Sequence, residues 1–140
     1  MGTTLQEKLK TPVDAKFVSK RKGLSYVTGR YTRSRLNQLF GPDGWDFTLL
    51  ESRLLQQDEE AVRWYVHGRL TVYFDQKSIV KDAVAIRHGV LKSRGEPVSP
   101  SRASEVIDFA AAEAVTDALK RASVNLGETL GLSLYPIINK

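Results

Sequence analysis

The stretch from Val62 to Phe74 restricts the possible folds more than any other part of the chain. Val62, Trp64, Val66, Gly68, Leu70, Val72 and Phe74 alternate with Arg63, Tyr65, His67, Arg69, Thr71 and Tyr73. A period of two means a strand with one buried face and one open face, and here the open face is basic and aromatic. A strand this long needs partners and a cover. Asp43-Gly44 is a turn, and Trp45 begins one partner. Ser78 to Arg87 supplies the other, and Lys81 and Arg87 are read as continuing the basic open side. Short links between consecutive strands indicate an antiparallel meander.

The cover is a helix over Ser101–Leu126. Ile107, Ala111, Ala114, Val115, Ala118, Leu119, Ala122 and Leu126 form its apolar stripe. Ser99 to Ser104 supplies capping residues, and Pro100 suits a first turn. Val106 and Phe109 fall outside the stripe, and the many alanines permit close approach to a sheet. Upstream, Thr3–Leu9 reads as a short helix stopped by Pro12. Lys16–Lys20 is extended, Arg21-Lys22-Gly23 is a tight turn, and Leu24–Thr28 completes a hairpin. Gly29 breaks it. A helix over Thr32–Phe40, with Leu36, Leu39 and Phe40 on one face, stops at Gly41-Pro42. The expected fold is α+β: an antiparallel sheet backed by a long helix, with an N-terminal β-hairpin. It forms one domain over residues 1–140, with a lead-in at 1–15 and a core at 16–135.

The chain has no cysteine, which removes disulfides and thiolate metal sites. His67 and His88 lack metal-ligand spacing, so neither a metal nor another cofactor is expected. There is no phosphate-binding GxxxxGK[ST] loop and no nucleophile elbow, so the chain is read as a non-enzyme. The enzyme rival is a nuclease assembled from scattered carboxylates. No apolar run approaches the ~20 residues that span a bilayer. Met1 to Lys10 is polar, and the expectation is a soluble, intracellular protein.

Formal net charge is +5, and its distribution is uneven. Between Lys8 and Arg35 stand nine basic residues against a single acid, Asp14. Between Asp43 and Glu60 stand six acids against Arg53 alone. Clustered positive charge attracts a polyanion, and the acidic stretch suits the basic patch of a neighbouring copy. Lys20, Arg21 and Lys22 crowd one hairpin tip, where they repel one another unless an anion sits there. Tyr26 beside them fits base stacking or hydrogen bonding, although a core position is the commoner fate of a tyrosine. Lys120 and Arg121 have two readings: a phosphate clamp on the helix surface, or plain helix solubility with Asp117–Arg121 as an i,i+4 pair. His67 reads as a hydrogen-bonded strand histidine.

The segment Glu113-Ala114-Val115-Thr116-Asp117-Ala118-Leu119-Lys120-Arg121-Ala122, then Gly127, Leu130-Gly131 and Leu134-Tyr135, resembles the Rad-fifty-two family of single-strand annealing proteins. So do Tyr26-Val27-Thr28-Gly29 and Asn37-Gln38-Leu39-Phe40-Gly41 running into Gly44-Trp45. The resemblance covers about Phe17 to Tyr135. It implies a β-β-β-α core that assembles into rings, with DNA held by its backbone in a groove and its bases exposed for pairing. The inner-groove contacts it implies are Arg21, Tyr26, Lys120 and Arg121, supported by Lys20, Lys22 and Arg30. An outer DNA site would use Lys77 and Arg102, with Arg63 drawn from the basic strand face. The family's helix often carries another basic residue where this chain has Ser123, Val124 and Asn125. The eukaryotic members' long tail is expected to be missing, as in a minimal bacterial, phage or organellar version or a trimmed domain.

The implied function is ATP-independent binding of single-stranded DNA and annealing of complementary strands in recombination and double-strand break repair. The alternatives are end protection without annealing, or an RNA-binding module on Tyr65, Arg69 and Tyr73. Implied partners are single-stranded DNA, a complementary strand, further copies of the chain, and a single-strand binding protein or recombinase. The compartment would be cytoplasm or nucleoid in a bacterium or phage, and organelle or nucleus otherwise. On this reading Lys120→Ala and Arg121→Ala weaken binding without harming the fold, and Val115→Asp breaks folding or assembly.

Overall fold

The alternating stretch is the middle strand of the sheet, β4 (Ala61–Phe74), between β3 (Trp45–Gln57) and β5 (Lys77–Val90). The structure, a computed structural model, describes residues 4–21 and 24–131. Both pairings are antiparallel, giving the expected meander: Trp45 opposes Val72, and Ala61 opposes Val90. The β4–β5 turn is Asp75-Gln76, both at positive φ (48° and 60°), the twist that suits a two-residue hairpin. At the β3–β4 turn, Asp58 Oδ1 accepts from the Glu60 and Ala61 N–H groups at 2.8 and 2.9 Å. Those two bonds hold the Asp58 carboxyl below its ordinary pKa. Part of the acidic run is therefore turn chemistry.

One face of this sheet is covered by α3 (Pro100–Val124), capped by Ser99, whose side chain accepts from the Arg102 N–H. Ala114, Ala118, Leu119 and Ala122 are fully buried, as the stripe requires, and Ala110 joins them. Ile107, Ala111, Val115 and Leu126 are half-buried. Phe109 is exposed as read, whereas Val106 packs on Gly89 of β5. Alanines bring α3 close to Val66 and Ala85, and bulkier Leu36, Leu70, Val72, Leu119 and Leu130 fill the other half of the core. Gly68 lies on the covered face in phase with Val66 and Leu70, and the Phe47 ring occupies the place that a side chain there would take.

The N-terminal elements line one side of this core. α1 (Leu5–Lys10) begins at a Thr4–Glu7 capping box. The hairpin pairs β1 (Val18–Arg21) with β2 (Leu24–Val27). A second small hairpin pairs β6 (Lys92–Ser93) with β7 (Glu96–Pro97), which the sequence reading did not anticipate.

The structure corrects two further expectations. α2 (Gly29–Phe40) starts three residues earlier than read, so Gly29 opens a helix and does not merely break a strand. Thr28 caps it through the Tyr31 N–H at 3.1 Å, and a β-carbon at Gly29 would collide with Thr116 of α3. Lys81 and Arg87 do not extend the open face. They oppose Leu70 and Trp64, so they belong to the face that α3 covers.

Candidate nucleic-acid interface

The last turns of α3 gather charge around one carboxylate. Asp117, with its side chain 14% exposed, meets Arg121 at 3.4 Å, Arg87 of β5 at 3.6 Å and Lys120 at 4.0 Å. Glu113, one turn earlier, lies 3.9 Å from Arg87. Helical spacing stacks Glu113, Asp117 and Arg121 on one side of α3, and the i,i+4 pair expected from sequence is formed. The three cations outnumber the two carboxylates, so the cluster stays positive.

Lys120 is not the surface residue that the sequence reading expected. It is buried at 9% exposure, and its ammonium donates to the Val27 carbonyl at 3.1 Å. That carbonyl ends β2, one residue past Tyr26, so Lys120 ties the basic hairpin to α3. Burial pushes the Lys120 pKa down. Asp117 opposes the shift, and Arg87 and Arg121 add to it. The long stem allows this placement: methylenes pack while the charged tip finds an oxygen. Arg121 matches expectation, with its side chain 53% exposed and one guanidinium N–H donated to the Val84 carbonyl of β5 at 3.1 Å.

Arg21 closes β1 opposite Leu24, and Tyr26 opposes Ser19. Lys22 lies outside the described residues. Lys20 is exposed on β1. Arg30 is exposed in the first turn of α2, beside a cavity of about 400 Å³ lined by Phe17, Tyr31, Arg35 and Thr129. The floor of this cavity is locked: the Tyr31 hydroxyl donates to the Thr129 carbonyl at 2.6 Å, and Arg35 donates to the Thr129 hydroxyl at 2.7 Å.

The suggested outer residues do not gather into one patch. Arg63 and Arg102 share an end of the domain, since Gly89 contacts both Val62 and Val106. Lys77 begins β5 opposite Phe74, eleven strand residues from Arg63, or roughly 37 Å along the sheet. Arg102 is paired with Glu105 at 2.9 Å, and Arg63 donates to Gln56 at 2.9 Å. The open sheet face is internally paired as well. Arg69 donates twice to Asp82, His67 meets the same carboxylate, Arg53 pairs with Glu51, and the Arg53 guanidinium lies over the Tyr65 ring.

Arg87 joins the charge cluster around Asp117, where the sequence reading did not place it. The signal was present in the alternation, which puts Arg87 in phase with Ala83 and Ala85 and opposite an apolar residue of β4. Among the described residues, no group of three or more histidines and carboxylates is placed to hold a metal ion. No helix there is long and apolar enough to cross a membrane.

A three-stranded antiparallel meander covered by one long helix is the β-β-β-α core that the resemblance implied. Residues 2–137 match the Rad52/22 family of double-strand break repair proteins, and the chain belongs to that family. It is 29% identical over 139 residues to the DNA repair and recombination protein RAD52 of Kluyveromyces lactis, and equally so to its counterpart in Eremothecium gossypii. Each match covers 94% of this chain but 30% of the relative, so the chain spans under a third of the length of the relatives it matches.

Proposed function

We propose that this chain binds single-stranded DNA and anneals complementary strands without ATP, as a homo-oligomeric ring acting in recombination and double-strand break repair. It works by binding, not by catalysis. The observation that carries this reading is the positive cluster on Asp117, where Arg121 is exposed and Lys120 anchors the strand bearing Tyr26. Arg121 meets phosphate, Lys120 holds the hairpin in register, and Arg21, Tyr26, Lys20, Lys22 and Arg30 extend the track. Phosphate contacts make affinity strongly dependent on salt and weakly dependent on sequence. Membership of a double-strand break repair family supports the same reading. The open face is a poorer nucleic-acid platform, because Arg53, Arg69 and His67 already hold carboxylates. Lys77, Arg63 and Arg102 remain candidates for contacts with the second strand.

The test is annealing of two labelled complementary strands, without nucleotide, by wild type beside Arg121→Gln. Wild type accelerates pairing, and the variant loses most of that acceleration while keeping its thermal midpoint. Binding without acceleration by wild type would replace annealing with end protection, and tighter binding to RNA would favour the RNA module.

A further inference from the structure

We propose that Arg87, on β5, is a further phosphate-contacting residue of this interface, so that the sheet and α3 grip the strand together. This rests on the assignment of Arg121 and Lys120 to the DNA site and goes beyond it, since Arg87 lies in neither the helix motif nor the hairpin.

The bonding of Arg87 shows a cation that is held in position but not satisfied. Its two ion pairs, 3.6 Å to Asp117 and 3.9 Å to Glu113, exceed hydrogen-bond range. Its Nε is buried and has no hydrogen-bond partner among the described residues. A guanidinium offers five N–H donors, and one that only cements two elements normally uses them in short, forked contacts. The Arg87 side chain is nevertheless 42% exposed, so its head is not sealed between β5 and α3. Arg87 and Arg121 converge on the same oxygen, Asp117 Oδ2, which neutralises neither fully. An arriving phosphate relieves the repulsion between the two guanidinium groups and takes up their open donors. Asp117 and Glu113 are then positioning residues that aim the cations while the site is empty.

A purely structural Arg87 would affect stability. It would not change the number of counterions that DNA releases. The decisive measurement is therefore oligothymidylate affinity across a salt series for wild type, Arg87→Gln, Arg87→Lys and Arg121→Gln. For a single strand, each lost phosphate contact lowers the slope of log affinity against log salt by about 0.7, which is roughly eightfold weaker binding at about 50 mM salt. Arg87→Gln and Arg121→Gln are each expected to lose that much, and Arg87→Lys, which keeps the charge, to retain the wild-type slope. If Arg121→Gln loses slope and Arg87→Gln does not, the Arg87 assignment is overturned and the site stands. If neither loses slope, the site itself is misplaced. Should Arg87→Gln fail to fold, phenylglyoxal modification of the wild-type protein decides: oligothymidylate shields Arg87 from the reagent if the assignment holds, and an equally reactive Arg87 with DNA bound overturns it.

Discussion

At the scale of single residues, Lys120 departs furthest from the sequence expectation. A helix stripe drawn through apolar positions leaves lysine outside it, because pattern reading treats the whole side chain as polar. The ammonium finds the Val27 carbonyl only once β2 lies against α3, a tertiary event that no local spacing encodes. Lys120→Ala should therefore cost about 1–3 kcal/mol in chemical denaturation, from lost packing and the lost bond to the Val27 carbonyl, where a surface lysine costs almost nothing. Its pH dependence has a definite sign. Burial holds the folded pKa below the ordinary 10.5, so the unfolded chain binds more protons between the two values. Stability contributed at Lys120 therefore rises as pH climbs through that window. The rise should be visible as the difference in urea midpoints between wild type and Lys120→Met at alkaline pH. Asp82 has the same sign in an acidic window, where it is the charged form that the fold favours. Hydrogen bonds from Arg69, then His67, hold its carboxyl near about 2 instead of 3.8. Its contribution is present above the ordinary value and fades as pH falls towards about 2. Asp82→Asn should lose that acid-sensitive component in urea titrations, and the component should shrink with added salt because the pair is solvent-exposed.

At the scale of elements, most of the architecture was legible because each major piece carries a strong period. Alternation located β4, its partners followed from short links, and the alanine stripe located α3 and the face it buries. The same alternation puts Arg87 in phase with buried Ala85, but its charge led to the expectation that it lay on the open face, which the register overturns. Gly29 went unread as a helix start because its reason is the approach of Thr116, 87 residues away by sequence. The closeness of α3 to the sheet is testable at Ala118, fully buried against Val66 and Ala85. Ala118→Leu should destabilise by about 1–3 kcal/mol in thermal or chemical unfolding. An unchanged midpoint would mean that α3 sits further from the sheet than this packing requires.

At the scale of the whole molecule, the sheet has two unlike edges, and both expose apolar side chains. β3 presents Leu49, Leu50, Leu54 and Leu55, and β5 presents Val80, Val84, Ile86 and Val90. Different surfaces at opposite edges suit head-to-tail contact, which closes into a ring when the rotation allows, whereas one self-complementary patch would give a two-fold dimer. Ile86→Lys and Leu50→Lys leave the core untouched, since both residues are over 40% exposed. In sedimentation velocity, the proposed ring predicts that wild type runs as a large assembly and that each variant alone falls towards monomer. Mixing them separates the two symmetries. Under head-to-tail contact, the intact β5 edge of Leu50→Lys still fits the intact β3 edge of Ile86→Lys, so the mixture forms a dimer that cannot grow. A two-fold interface through β5 predicts instead that Leu50→Lys keeps its assembly unaided and that mixing adds nothing. Annealing activity should follow the assembly: if a continuous groove carries the strand, the blocked heterodimer retains the Asp117 cluster and binds short oligonucleotides, yet loses the ability to present a long strand for pairing.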